Sequence, residues 1–170
     1  MSADTRPIPS MSSSLPESVT SRIGVSKTRR YQVTARDIKR FAQAIGETDP
    51  VHFDEAYART TRYGTIVAPP LFCQTLTYED VAPEQLPADG SPVELDVPIP
   101  ATRAVGGSSE YTIERLVRAG EVITVTSTLR DVATKQGRSG TLYLVVVETR
   151  FVAADGEPVA TEVATYIKRP

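Results

Sequence analysis

The chain is predicted to be an α+β domain, with helices in its first half and long antiparallel strands in its second. Three observations carry this. Apolar residues recur at helical spacing between Thr34 and Leu76. The period changes to alternation after Ser109. Glycine turn signals separate the alternating runs.

Residues 1–20 are rich in Ser and Pro and poor in apolar side chains, so the burial they offer cannot offset their ordering entropy. They are expected to be a disordered tail, with one folded domain over residues 21–170 whose globular character is plain from Arg30 onward. Thr34 followed by Asp37 is a helix-capping signal. Ile38, Phe41, Ala42 and Ile45 then share one helical face, and Gly46 supplies the stop. Asp54 caps a short helix expected from Glu55 to about Thr60. Pro69-Pro70 opens a third, more apolar helix that carries Leu71, Phe72, Thr75 and Leu76 and is expected to run to Glu79, buried at the centre. Beyond it, Ser109, Tyr111 and Ile113 alternate. Glu121 to Val132, Leu142 to Val152 and Val159 to Ile167 are runs of Val, Ile and Thr typical of strands. Gly137 and Gly140 flank one connection, and Asp155-Gly156 is a hairpin signal. The Leu142–Val147 run suits a core or a dimer-interface strand.

Composition narrows the function. The chain has 170 residues and a formal net charge of −2, which gives no electrostatic footprint for nucleic acid. No apolar run approaches the roughly 18 residues of a membrane span, and the Ser- and Pro-rich start lacks the apolar core of a signal peptide. The single cysteine, Cys73, forms no intramolecular disulfide and fits a reducing cytoplasm. On a buried helix it reads as a small core residue. With one Cys and one His, no metal site is expected. Arg29, Arg30, Lys135 and Arg138 suit either coenzyme A phosphates or a solvated surface.

The stretch Gly46-Glu47-Thr48-Asp49-Pro50-Val51-His52-Phe53-Asp54 lies between two helices. Pro50 pushes Asp49 toward an extended conformation and helps fix the loop. Carboxylates and an imidazole on a loop held by a rigid scaffold suit proton transfer near neutral pH. Glu47 and Asp49 suit turn formation equally well, and spacing alone does not choose.

The same stretch resembles the hydratase motif Gly-Asp-x-Asn-Pro-x-His of MaoC-like (R)-specific enoyl-CoA hydratases and dehydratases. The preceding Phe41-Ala42-Gln43-Ala44-Ile45 fits that family too. So do the segment from Tyr63 to Phe72 and Lys135-Gln136-Gly137-Arg138-Ser139-Gly140. Together these resemble the MaoC-like dehydratase N-terminal domain and the dehydratase region of fungal-type fatty-acid synthases, from about Tyr31 to Lys168. The resemblance implies a hot-dog fold, a long central helix wrapped by an antiparallel sheet, paired with itself or with a related hot-dog chain.

It implies that His52 is the catalytic imidazole. Glu47 stands where the family has Asp, one methylene further out, and Asp49 stands where it has Asn, so either carboxylate is a candidate partner. The start of the central helix would face the thioester oxygen. Since neither proline has an amide hydrogen, the Leu71 N–H is the nearest donor. The implied reaction is the reversible hydration of a trans-2-enoyl thioester, with coenzyme A or an acyl carrier protein as carrier and no separate cofactor. The two departures from the motif support a second reading, a non-catalytic acyl-binding subunit of a hot-dog heterodimer. A hot-dog thioesterase is a third.

Overall fold

The computed structural model describes residues 15–78, 80–85, 95, 97–101, 103–138 and 140–169. The elements in order are α1 (Glu17–Thr20), β1 (Ser26–Gln32), α2 (Ala35–Ala44), a 3₁₀ turn (Pro50–His52), α3 (Glu55–Thr60), a central 3₁₀ helix (Pro70–Thr77), a second 3₁₀ turn (Pro83–Gln85), then β2 (Arg103–Ile113), β3 (Val122–Gly137), β4 (Gly140–Ala153) and β5 (Pro158–Arg169). The five strands form one antiparallel sheet in the order β1-β3-β4-β5-β2.

The capping signal at Thr34 forms as a reciprocal pair. The Asp37 N–H donates to Thr34 Oγ1 at 3.2 Å, and the Thr34 N–H donates to Asp37 Oδ2 at 2.9 Å. This satisfies two helix-end donors and aims Ile38 and Ala42, both fully buried, at the sheet. α3 begins as expected, with Asp54 Oδ1 accepting from the N–H groups of Ala56 and Tyr57. Gly46 ends the α2 region at φ +73°, a left-handed conformation that costs glycine nothing.

The inner face of the sheet carries two apolar clusters. One joins Ile123, Val125 and Phe151 to Ile38, Phe72, Cys73 and Leu76. The other joins Leu129, Val132, Val145 and Val147 to Val19 and Leu95. A β-bulge makes the second cluster possible. Leu129 pairs with Val147 and Asp131 with Val146, so Arg130 is an extra residue. That extra residue flips the alternation and turns Val132 inward.

Three expectations need correction. The central helix is neither long nor an α-helix: it is a 3₁₀ helix of eight residues that ends at Thr77. The hydroxyls of Thr75 and Thr77 each donate at 2.7 Å to the carbonyl three residues back. Such back-bonding competes with regular α-helical pairing. Its position is as expected, with Phe72, Cys73, Leu76 and Thr77 buried against the sheet. The expected last residue, Glu79, lies outside the described residues. Second, packed structure reaches back past Thr20: α1 occupies Glu17–Thr20 and Val19 is fully buried. Residues 1–14 of the expected tail lie outside the described residues. Third, regular structure in the domain begins before Arg30, since β1 starts at Ser26. Its sequence, Ser-Lys-Thr-Arg-Arg-Tyr-Gln, lacks apolar alternation because it is an edge strand, where charged side chains discourage pairing with other chains.

Candidate active site

His52 ends the 3₁₀ turn that follows the Asp49-Pro50 step, and the fold buries it to 6% exposure. Its Nδ1 lies 2.7 Å from the carbonyl oxygen of Val67. A carbonyl only accepts, so Nδ1 carries the hydrogen and donates it. In the neutral ring, Nε2 is then the basic nitrogen. Phe53 packs edge-on to the imidazole.

The Val67 carbonyl is itself held in place. Ala68 N–H donates to Val117 O, Ala119 N–H donates to Ile66 O, and Val67 bridges Arg118. The 115–121 loop that supplies these contacts is tied by Arg115, which meets Glu157 at 2.7 Å and Glu121 at 3.0 Å with its own side chain 14% exposed. Neither the backbone acceptor nor this clamp has a sequence signature: one is a main-chain oxygen, and the other joins residues up to 42 positions apart.

The two carboxylates differ in their hydrogen bonds. Glu47 Oε1 accepts from the N–H groups of Thr48 at 2.8 Å and Asp49 at 3.1 Å. These backbone bonds, and the nearby His52, hold its acid below the usual glutamate range. Asp49 Oδ1 accepts from Val51 N–H at 2.9 Å and caps the 3₁₀ turn that carries His52. The structure thus brings Glu47 within electrostatic reach of the imidazole, while Asp49 forms the turn that presents it. Leu71 lies four residues beyond the carbonyl that holds His52, in the first turn of the central helix. The Phe72 N–H is taken by Pro69 O at 3.0 Å. The Leu71 N–H has no backbone acceptor among the described residues.

Beside this corner runs a cleft of about 400 Å³ between α2 and the central helix. Phe41 and Phe72 meet edge-to-face at its wall, 5.6 Å apart. From there it is lined by Val33, Thr75, Leu76 and Tyr78, so it leads away from the His52 end of both elements. Cys73 lies beneath the central helix as a buried core residue. Burial pushes its thiol up to about 12, the opposite of an activated nucleophile.

Comparison with known proteins shows the family and the fold. The model of the FAS1-like dehydratase domain region matches residues 21–162. A UPF0336 protein of Clavibacter michiganensis subsp. michiganensis is 35% identical over 139 residues, covering 82% of this chain and 86% of its own. One from Streptomyces avermitilis is 32% identical over 144 residues, covering 84% and 87%. Among solved structures, the unliganded R-hydratase PhaJ1 from Pseudomonas aeruginosa superposes with a TM-score of 0.62 at 20% identity, over 86% of this chain and 81% of its own. The C-terminally truncated HadBC (3R-hydroxyacyl-ACP dehydratase) complex from Mycobacterium tuberculosis gives 0.65 at 21%, over 85% and 96%. The ChsH1-ChsH2 complex from the same organism gives 0.68 at 24%, over 90% and 89%. These likenesses identify the fold as the hot dog.

Proposed function

Since this chain belongs to the family of FAS1-like dehydratase domain regions, we propose that it reversibly hydrates a trans-2-enoyl thioester to a 3-hydroxyacyl thioester. The observation that carries this reading is the 2.7 Å bond from His52 Nδ1 to Val67 O, which leaves Nε2 as the base on a buried, oriented ring. In this reading a water molecule loses a proton to Nε2 as its oxygen bonds to Cβ of the enoyl group. The electrons move through Cα to the thioester oxygen, which accepts a hydrogen bond from the Leu71 N–H. A proton from the His52–Glu47 pair then closes the step at Cα. Glu47 stays ionised because the backbone bonds stabilise its charge, and Asp49 acts by holding the turn. The chemistry needs no separate cofactor. Coenzyme A and an acyl carrier protein are both candidate carriers, and a reducing cytoplasm is the proposed setting.

A second reading is a non-catalytic acyl-binding subunit. The 400 Å³ cleft supports it, since its Phe41–Phe72 wall offers an apolar surface, although Gln32, Asp37, Arg40 and Asp80 line the cleft as well. Both readings pair this chain with another hot-dog chain, because β2 is a sheet edge of 11 residues exposed along most of its length.

The test is to offer the purified chain a trans-2-enoyl-CoA and to follow enoyl absorbance together with free thiol. Alkene loss without thiol release is expected. Thiol release would mean a thioesterase. Neither change, with activity appearing only when a hot-dog partner is added, would establish the subunit reading.

A further inference from the structure

We infer that Arg115 is a positioning residue for His52. Through Glu121 and the 66–68 backbone it braces the carbonyl that holds the imidazole in the tautomer with a basic Nε2. This role rests on the reading of His52 as the base of the proposed hydration. Val67 and Arg118 face each other across a short antiparallel bridge. On either side of them Ala68 N–H donates to Val117 O at 2.8 Å and Ala119 N–H donates to Ile66 O at 2.9 Å. That pattern makes Val67 and Arg118 the non-hydrogen-bonded pair, whose own polar groups turn away from one another. Val67 O points out on one side, where His52 Nδ1 donates to it at 2.7 Å. The Arg118 N–H points out on the other, where Glu121 Oε2 accepts it at 2.9 Å.

Arg115 fixes that second side. Its Nη1 donates to the same Glu121 Oε2 at 3.0 Å and to Leu116 O at 3.1 Å. Its Nε donates to Glu157 Oε2 at 2.7 Å. One guanidinium thus ties both ends of the 115–121 loop together and to the turn before β5. Its planar fork holds these acceptors in fixed directions, which a flexible ammonium does not. Arg118, the other cation paired with Glu121 among the described residues, is 4.0 Å away with its side chain 44% exposed. Backbone bonds keep the loop folded without the brace: Glu114 N–H donates to Val159 O, Gly120 N–H to Val33 O, and Val33 N–H to Glu121 O. Removing the brace should therefore loosen the middle of the loop, where Arg118 faces Val67, and not unfold it.

Stability alone accounts poorly for this arrangement. The Glu157 side chain is 52% exposed, where an ion pair adds little. Arg115 Nη2 is buried with no acceptor among the described residues, which costs stability. Control of position accounts for it better. A neutral imidazole has two tautomers, and only the one with its hydrogen on Nδ1 leaves Nε2 basic. A carbonyl 2.7 Å from Nδ1 selects that tautomer. Displaced by about 1 Å, it would select neither, and displacements of that size cost rate steeply.

The test uses the full chain with its histidine labelled with nitrogen-15. Histidine occurs once, so every ring signal belongs to His52. At about pH 8, above the ordinary titration of histidine, the wild type should show the hydrogen on Nδ1 and an unprotonated Nε2. Arg115→Met keeps most of the apolar stem and should bring the two ring-nitrogen signals together as the tautomers mix. In enoyl-CoA hydration the same variant should lower kcat roughly 10–100-fold with little change in KM. Glu121→Ala should behave likewise, and it serves if Arg115→Met does not fold. Glu121→Gln keeps an oxygen for both Arg118 N–H and Arg115 Nη1, and should retain the wild-type tautomer. Arg150→Gln removes a 2.8 Å ion pair with Glu148 elsewhere on the sheet and should leave ring and rate unchanged. The positioning role is overturned if folded Arg115→Met and Glu121→Ala keep the wild-type tautomer, whatever their rates, or if wild-type Nδ1 is unprotonated. It is equally overturned if Arg150→Gln mixes the tautomers as much, since lost stability would then be the cause. If the ring loosens in the variants but the wild type hydrates no enoyl-CoA, the brace stands and the hydration reading falls.

Discussion

At the residue scale, the fixed tautomer of His52 sets the expectations. His52→Ala should lower kcat by about 10²–10⁴-fold, the usual contribution of a general acid–base group. KM should change little, because the lost interaction belongs to the transition state. Glu47→Gln should act in the same direction, whereas Glu47→Asp keeps the charge. Steady-state kinetics on folded variants check all three, and a wild-type rate in His52→Ala would dismiss the assignment. Glu47 also makes a pH prediction. Its acid is lowered by backbone bonds, so its stabilising effect is present above the ordinary glutamate range and is lost as pH falls through the folded value. The gap in urea midpoint between wild type and Glu47→Gln should therefore shrink between about pH 6 and about pH 3. Cys73, with its thiol raised to about 12, should resist alkylation in the native protein and react only after unfolding.

At the element scale, the best-read parts of the fold were those whose signals are local. The Thr34–Asp37 box, the Asp54 cap and the Asp155-Gly156 turn each join residues no more than three apart, and each forms as expected. Thr34→Ala should accordingly cost about 1 kcal/mol in chemical denaturation, the typical effect of losing an N-cap. Signals that depend on distant partners were misread. α1 is too short to show a helical period, and only its docking against Leu129 and Val147 makes Val19 a core residue. A chain beginning at Ser21 should therefore melt lower than one beginning at Leu15; equal melting temperatures would show that α1 adds nothing. The central helix has an apolar content that reads as α-helix, yet its threonine hydroxyls bond backward and shorten it. His52 and Glu47 became candidates because one loop motif holds them five residues apart. The Val67 carbonyl that orients the imidazole was not legible, because a main-chain acceptor leaves no mark on side-chain order.

At the scale of the whole molecule, the sheet has unequal edges. β1 carries lysine and arginines along its length, the usual protection of a free edge. β2 has Gly106-Gly107, serines and exposed Val105 and Ile113, with charged side chains only at Arg103 and Glu110. Gly107 is the extra residue of a β-bulge between Gly106 and Ser108, and it has little room for a side chain, since a Cβ there would meet Thr165 O at 2.9 Å. A long, weakly charged edge with unpaired backbone groups on one side is a template for another strand. Two hot-dog sheets joined along β2 would remove it, and a two-fold axis would make the contact self-complementary. The expected outcome in multi-angle light scattering is a species of twice the chain's mass, or a one-to-one complex when a related hot-dog chain is supplied. Hydrogen exchange should then show the outward-facing amides of residues 103–113 protected in the pair and exchanging freely on dilution. A monomer under both conditions, with those amides unprotected, would mean that β2 stays a free edge and that the site works within a single chain.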